Sequence, residues 1–143
     1  MSRRDDERLQ AELEQLFADL AHVPRFTGQR HGFRPNVDCF HTDDPHALTV
    51  VIELPGVDPE SVRVVAGARL LAVAGERRRP RVPGRVYQLM EIEYGPFQRQ
   101  VQLAEDVDPE LATARFEHGV LTVHLPAAER AAHSSVTIEV RRG

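Results

Sequence analysis

The run Ala114-Arg115-Phe116-Glu117-His118-Gly119-Val120-Leu121-Thr122-Val123-His124-Leu125 reads as two short strands folded back on each other. His118-Gly119 supplies the tight turn, because a two-residue hairpin loop needs positive φ and glycine gives it without steric cost. The chain before it has the same character. Phe97 to Leu103 is a strand, and Leu48-Thr49-Val50-Val51-Ile52-Glu53-Leu54 is another, stopped by Pro55-Gly56. After Val57-Asp58-Pro59-Glu60 comes Ser61 to Ala66, with Val62 and Val64 on one face and Arg63 on the other. Gly67-Ala68 turns the chain into Leu70 to Ala74, closed by Gly75-Glu76-Arg77. Six or seven short strands with so little helix between them predict an all-β, immunoglobulin-like antiparallel sandwich.

Three stretches lie outside such a sandwich. Residues 77–96 start rich in arginine and proline and lead to a short strand, Val86 to Ile92. The segment is too long for a hairpin turn, so a strand at about 85–92 is expected to project from the domain. At the other end Pro126 stops the last strand, and residues 127–135 are small and polar. Val136-Thr137-Ile138-Glu139-Val140 then alternates β-branched apolar residues with polar ones. A strand with no sheet of its own pairs with an exposed edge. The N-terminal arm reads as a helix, with Leu9, Leu13, Leu16, Phe17 and Leu20 in one apolar stripe and Asp5, Asp6 and Glu7 at its positive end. A lone helix of about 15 residues is marginal in water, so the stripe needs a surface to cover. Pro24, Gly28, Gly32 and Pro35 mark a linker. The expected organisation is an arm over 1–34, a sandwich over 35–126, and a flexible extension over 127–143.

Composition narrows the chemistry. In 143 residues, 41% are apolar and 28% charged, ordinary for a globular chain. The single cysteine, Cys39, allows no intramolecular disulfide, pointing to a reducing compartment or to indifference about redox. The start lacks an apolar signal region and no stretch approaches the roughly 20 apolar residues of a membrane span, so a cytoplasmic protein is expected. The net charge of −4 is too mild to name a partner. All 18 basic residues are arginine, which excludes the P-loop lysine grip on phosphate and lysine Schiff-base chemistry. Arg77, Arg78, Arg79, Arg81 and Arg85 raise the question of nucleic acid, but without interleaved aromatics in an acidic chain they read as a solvated loop. Among seven histidines, His118 with His124 and His41 with His46 lack a convincing third ligand, so no metal is expected. Cys39 has only His41 nearby, and a buried or inert thiol is the default reading. No serine-histidine-acid or paired-carboxylate arrangement is legible, so neither an enzyme nor a cofactor is expected.

From Pro35 to Val140 the sequence resembles the small heat shock proteins, the α-crystallin-related family, in bacterial form. Pro35-Asn36-Val37-Asp38 is similar to the domain's opening, and Glu53-Leu54-Pro55-Gly56-Val57 to its leucine-proline-glycine-valine turn. Leu71 to Arg77 resembles the strand ending in glycine-glutamate-arginine. Glu91 to Arg99 resembles the tyrosine-glycine-x-phenylalanine-x-arginine segment. Ala114 to Leu121 resembles the alanine-x-x-x-asparagine-glycine-valine-leucine signature, and Val136-Thr137-Ile138 falls where members carry an isoleucine-x-isoleucine tail. Each piece is short; their shared order is the specific signal. The departures are His118 for asparagine, Ala104 for proline, valine at the first tail position, and a short N-terminal arm.

The resemblance implies an α-crystallin domain and an ATP-independent holdase that captures partly unfolded chains and hands them to ATP-driven chaperones. It implies dimers by strand exchange through Tyr87 to Glu91, with Leu89 among the buried side chains and Arg99 facing a loop carboxylate, Glu91 or Glu93. It implies a tail acting in trans, Val136 and Ile138 (or, in a second register, Ile138 and Val140) filling a groove made by Val62 and Val64 with Ala114 and Phe116. Higher homo-oligomers follow from that contact. Clients are expected on Leu9, Leu13, Leu16, Phe17 and Leu20, and on the groove when the tail leaves. Two other readings stay open. The leucine stripe can pack on its own sandwich, and the chain can be a monomeric co-chaperone adaptor that recruits one folded partner. Neither a nucleic-acid partner nor a membrane span is implied.

Overall fold

Alternation drives the central strands. In β2 (Ala47–Glu53), Leu48, Val50 and Ile52 point inward and are buried, while Thr49 and Val51 between them are partly exposed. Its neighbours are β1 (Val37–Thr42) and β7 (Val120–Pro126). A computed structural model describes residues 32–129 and 135–143, together with six helical N-terminal positions, 3, 4, 7, 8, 11 and 15. Leu9, Leu13, Leu16, Phe17 and Leu20 lie outside the described residues.

The remaining strands are β3 (Arg63–Ala66), β4 (Leu70–Arg77), β5 (Gly95–Gln102), β6 (Thr113–Glu117), β8 (Val136–Ile138) and β9 (Val140–Arg142). They form a five-stranded sheet, β1-β2-β7-β6-β9, and a four-stranded sheet, β5-β4-β3-β8. Inward faces of both contribute Val50, Ile52, Val64, Leu71, Val73, Leu121 and Val123 to one core. Among the described residues no polar or charged side chain is buried. The expected all-β sandwich is what forms, and every strand pair is antiparallel except β6 with β9. That parallel pair arises because the tail reaches β6 from the other sheet.

The two strands that bear the tail share an entrance. Val57-Asp58-Pro59-Glu60 and Val107-Asp108-Pro109-Glu110 are the same tetrapeptide, and each starts a single 3-10 turn. In both, the aspartate carboxylate accepts from the glutamate N–H two residues on, at 3.0 and 3.1 Å, and proline takes the first turn position where no N–H is needed. Both valines are buried anchors.

Three expectations about strands need correction. β4 does not stop at Ala74 but runs through Gly75-Glu76-Arg77, whose ladder with β5 ends at Arg77 opposite Gly95. The tail is two strands split at Glu139, not one, since it crosses between sheets. No strand is present over 85–92, because that segment hydrogen-bonds to no strand of its own chain, and an unpaired ribbon has no ladder to hold it extended.

Candidate functional site

At one end of the sandwich, β3 and β6 would be neighbouring free edges, one in each sheet. The tail closes both. β8 runs antiparallel along β3, with Ile138 opposite Val64 and Val136 opposite Ala66. After Glu139 the chain steps across, and β9 runs parallel to β6 with Val140 beside Ala114 and Arg142 beside Phe116. Ile138 is only 6% exposed and joins the core, while Val136 and Val140 are half-buried on either side of it. Ile138 is therefore the deep anchor in both of the registers read from sequence. Val62 is buried just before β3, and Phe116 is half-buried on β6. The last residues add weaker contacts: Gly143 N donates to Phe116 O at 2.9 Å, and Arg142 Nη2 lies 3.7 Å from Asp58 Oδ1 and 3.6 Å from Glu60 Oε1. In the structure of the single chain, then, the groove holds the chain's own tail. A short connector keeps the tail at high effective concentration beside its own groove.

At the opposite end, β1 and β5 leave open edges, and the loop between β4 and β5 stands out from the domain. Val86 is 91% exposed and Leu89 73%, with Met90 and Ile92 also exposed. Among soluble surfaces such a run of apolar side chains marks a contact site. Its base is fixed by Arg77. The guanidinium donates from Nε to Glu93 O at 2.8 Å, from Nη1 to Pro55 O at 3.1 Å and from Nη2 to Glu93 O, and it lies 3.7 Å from the Phe33 ring centroid. Arg79 then stacks over Tyr94 and Tyr87 and donates to Tyr87 Oη at 2.8 Å, and Arg85 covers Tyr87 4.7 Å from its centroid. The arginine run is thus interleaved with aromatics after all, drawn from Phe33, Tyr87 and Tyr94. Those ring faces are spent on intramolecular cation–π contacts that shape the loop. Sequence reading missed this: Phe33 is distant in the chain, whereas Tyr87 and Tyr94 follow the arginine run closely and meet it only because the loop folds back. The clue was Arg77 itself, the end of the glycine-glutamate-arginine run.

Within the single chain, Arg99 is engaged by the chain's own backbone. On β5 opposite Val73, its Nη1 donates to Pro35 O at 2.6 Å, tying the segment that enters β1 to β5. A backbone carbonyl, not Glu91 or Glu93, holds it in the single chain. Tyr87, Leu89 and Glu91 are all exposed.

Of the two readings of Cys39, buried or inert, the first is corrected: it is exposed on the edge strand β1. Partial desolvation on the strand still pushes its thiol pKa up, which keeps it protonated and a poor nucleophile. His41 and His46 do come together, with ring centroids 5.4 Å apart, but both His46 nitrogens face carboxylates. Among the described residues no group of three or more histidine, cysteine, aspartate or glutamate side chains is arranged to hold a metal ion. Nor, among those residues, is any helix long and apolar enough to cross a membrane.

A family model described as Hsp20/alpha crystallin family matches residues 41–141. Heat shock protein 16 of Schizosaccharomyces pombe is 31% identical over 121 residues, covering 80% of this chain and 82% of that protein. Small heat shock protein C2 of Rickettsia felis is 25% identical over 118 residues, covering 82% of this chain and 75% of its own length. Among solved structures, Heat shock protein 16.0 from Schizosaccharomyces pombe superposes with a TM-score of 0.62 at 29% identity, over 69% of this chain and 91% of that one. The hspA structure from Xanthomonas axonopodis gives 0.61 at 26% identity, over 71% of this chain and all of that one (100%).

Proposed function

Because this chain belongs to the Hsp20/alpha crystallin family, whose members are small heat shock chaperones, we propose that it is an ATP-independent holdase that binds partly unfolded proteins and prevents their aggregation. The observation that supports this most is the tail on its groove. Ile138 occupies a core position, yet it sits on a detachable segment joined to the domain only by the connector after Pro126. Lifting the tail exposes Val64 and Ala114 and the free edges of β3 and β6 together. An apolar slot flanked by two unpaired strand edges offers an unfolded chain both side-chain burial and main-chain hydrogen bonds, with no demand on its sequence.

The same geometry supports assembly. A tail that can close its own groove can close a neighbour's by the same contacts, so exchange from cis to trans links subunits without new chemistry. Burial of Ile138 with half-burial of Val136 is worth roughly 3–4 kcal/mol in gross terms, less the cost of ordering the arm. That leaves a weak, exchangeable contact. At the opposite end, the loop carrying Tyr87, Leu89 and Glu91 pairs with a partner's open edge, β1 or β5, which hides Leu89 and gives the ribbon its missing ladder. Arg99 then faces that partner. Leu9, Leu13, Leu16, Phe17 and Leu20 add a second apolar surface for clients, which pass on to ATP-dependent chaperones in the cytoplasm.

The test is suppression of a client's thermal aggregation by purified protein without nucleotide, with native mass measured on the same sample. Protection together with a mass above the monomer is the expected result. No protection at equimolar subunit would overturn the holdase reading, and a monomer that binds one folded protein would establish the adaptor instead.

A further inference from the structure

His46 sits in the turn between β1 and β2 with a carboxylate on each side of its ring. Nδ1 is 2.7 Å from Asp43 Oδ1 in the same turn, and Nε2 is 2.5 Å from Glu105 Oε2 in the connection after β5. Only the imidazolium carries an N–H on both nitrogens; a neutral ring donates to one carboxylate and turns a lone pair on the other. The bridge joins the five-stranded sheet to the segment leaving the four-stranded one. It also stands at the root of the tail: Ala127 N donates to His46 O at 3.0 Å, and Ala128 N donates to Asp106 O, beside Glu105, at 3.0 Å. Asp108 N donates to Pro126 O at 2.8 Å, which completes the seam.

We propose that His46 is a protonation-controlled latch: charged, it clamps the β1–β2 turn to Glu105 and holds the first residues of the tail on the domain, and on losing its proton it lets them go. The surrounding charges favour the cation. Asp43 and Asp44 lie in its own turn, Glu105 and Asp106 in the connection after β5, and Glu129 just beyond β7. Against them stands Arg69, which is 3.7 Å from Asp106 and donates to Ala104 O, and the ring of His41 lies beside that of His46. Hydrogen bonds to Asp43 and then Glu105 raise the His46 pKa against a smaller opposing desolvation. A folded-state pKa raised above the ordinary value of 6.5 means that the latch is fully closed below that value and opens as pH rises through the folded one. Alkaline release loosens the tail's root and speeds its exchange between grooves, a consequence that rests on the tail reading above.

The experiment follows histidine C2–H exchange and backbone amide exchange in the full chain across pH, each amide rate normalised to its intrinsic value. The His46 midpoint is expected above the ordinary histidine value, and protection of the Ala127 and Ala128 amides is expected to fall severalfold through the same midpoint. Glu105→Gln and Asp43→Asn should each lower the midpoint; His46→Gln should remove the step, and His41→Gln should leave it. An ordinary His46 midpoint, or a step that survives His46→Gln, overturns the latch. Should His46→Gln fail to fold, the two carboxamide variants decide through their midpoints. A protection step with no pH effect on subunit exchange upholds the latch and sinks the tail-exchange reading alone.

Discussion

Ile138 lies directly across the β3–β8 ladder from Val64, and both side chains are part of the sandwich core although Ile138 belongs to the tail. Ile138→Ser removes most of the apolar contact and leaves a hydroxyl in its place, a loss of about 2–3 kcal/mol. The tail should then leave the groove, seen as lost amide protection at Val64 and Ala66. In the proposed assembly, light scattering should show a fall in mass towards the dimer. Val136→Ser should act in the same direction but less, since Val136 is only half-buried. Unchanged mass in the double variant would remove the tail from the account of assembly.

Gly75 lies in β4 under the ring of Phe97. A Cβ at that position would stand 2.7 and 2.9 Å from two Phe97 ring carbons and 3.2 Å from Ser61 O. Gly75→Ala should therefore destabilise the domain by about 1–3 kcal/mol through overpacking. Phe97→Leu in the same background should recover part of the loss, so the pair should be less than additive in denaturant midpoints. Full additivity would place the strain elsewhere.

Arg77 joins the turn at Pro55, the loop end at Glu93 and the ring of Phe33 through one guanidinium. Arg77→Lys keeps the charge but loses the planar fork and the stacking face. Stability should fall by about 1–2 kcal/mol, the scale of one or two net hydrogen bonds. The diagnostic change is local: amide exchange over 93–95 should quicken more than exchange in β2. Uniform quickening would mean that Arg77 serves the whole domain and not the loop.

The core strands were legible because their apolar residues alternate, as Leu48, Val50 and Ile52 do, and a buried face leaves only one register. The groove residues Val62, Val64, Ala114 and Phe116 and the tail residues Val136, Ile138 and Val140 were legible through a known pattern; periodicity alone would not have paired them. What escaped depends on the third dimension. Arg77 finds the ring of Phe33 far upstream, and Tyr87 and Tyr94, though in the same loop as Arg79, carry no periodicity that says they turn back onto it. His46 reads as one of several histidines until folding brings Glu105 to it from 59 positions away. The repeated Val-Asp-Pro-Glu was in plain sight in the chain. Its meaning, a shared entrance to the two groove strands, needs the sheets.

His118 departs from the usual asparagine at the tip of the β6–β7 hairpin, and the backbone shows what the departure costs. Its φ is +54° and that of Gly119 is +75°, so both central residues of the turn are left-handed. Histidine is itself among the side chains enriched in that region, but the short amide of asparagine adds a local hydrogen bond and glycine is free in it. The side chain offers little in return, being 89% exposed with Nδ1 3.9 Å from Glu117 Oε1, an exposed contact of small worth. His118→Asn should thus stabilise the domain by up to about 1 kcal/mol, and His118→Gly by a similar amount set against its greater freedom when unfolded. His118→Ala keeps the backbone penalty and should gain nothing. Denaturant midpoints of the three variants separate backbone from side chain: if Ala stabilises as much as Asn, the turn conformation is not what the position selects for.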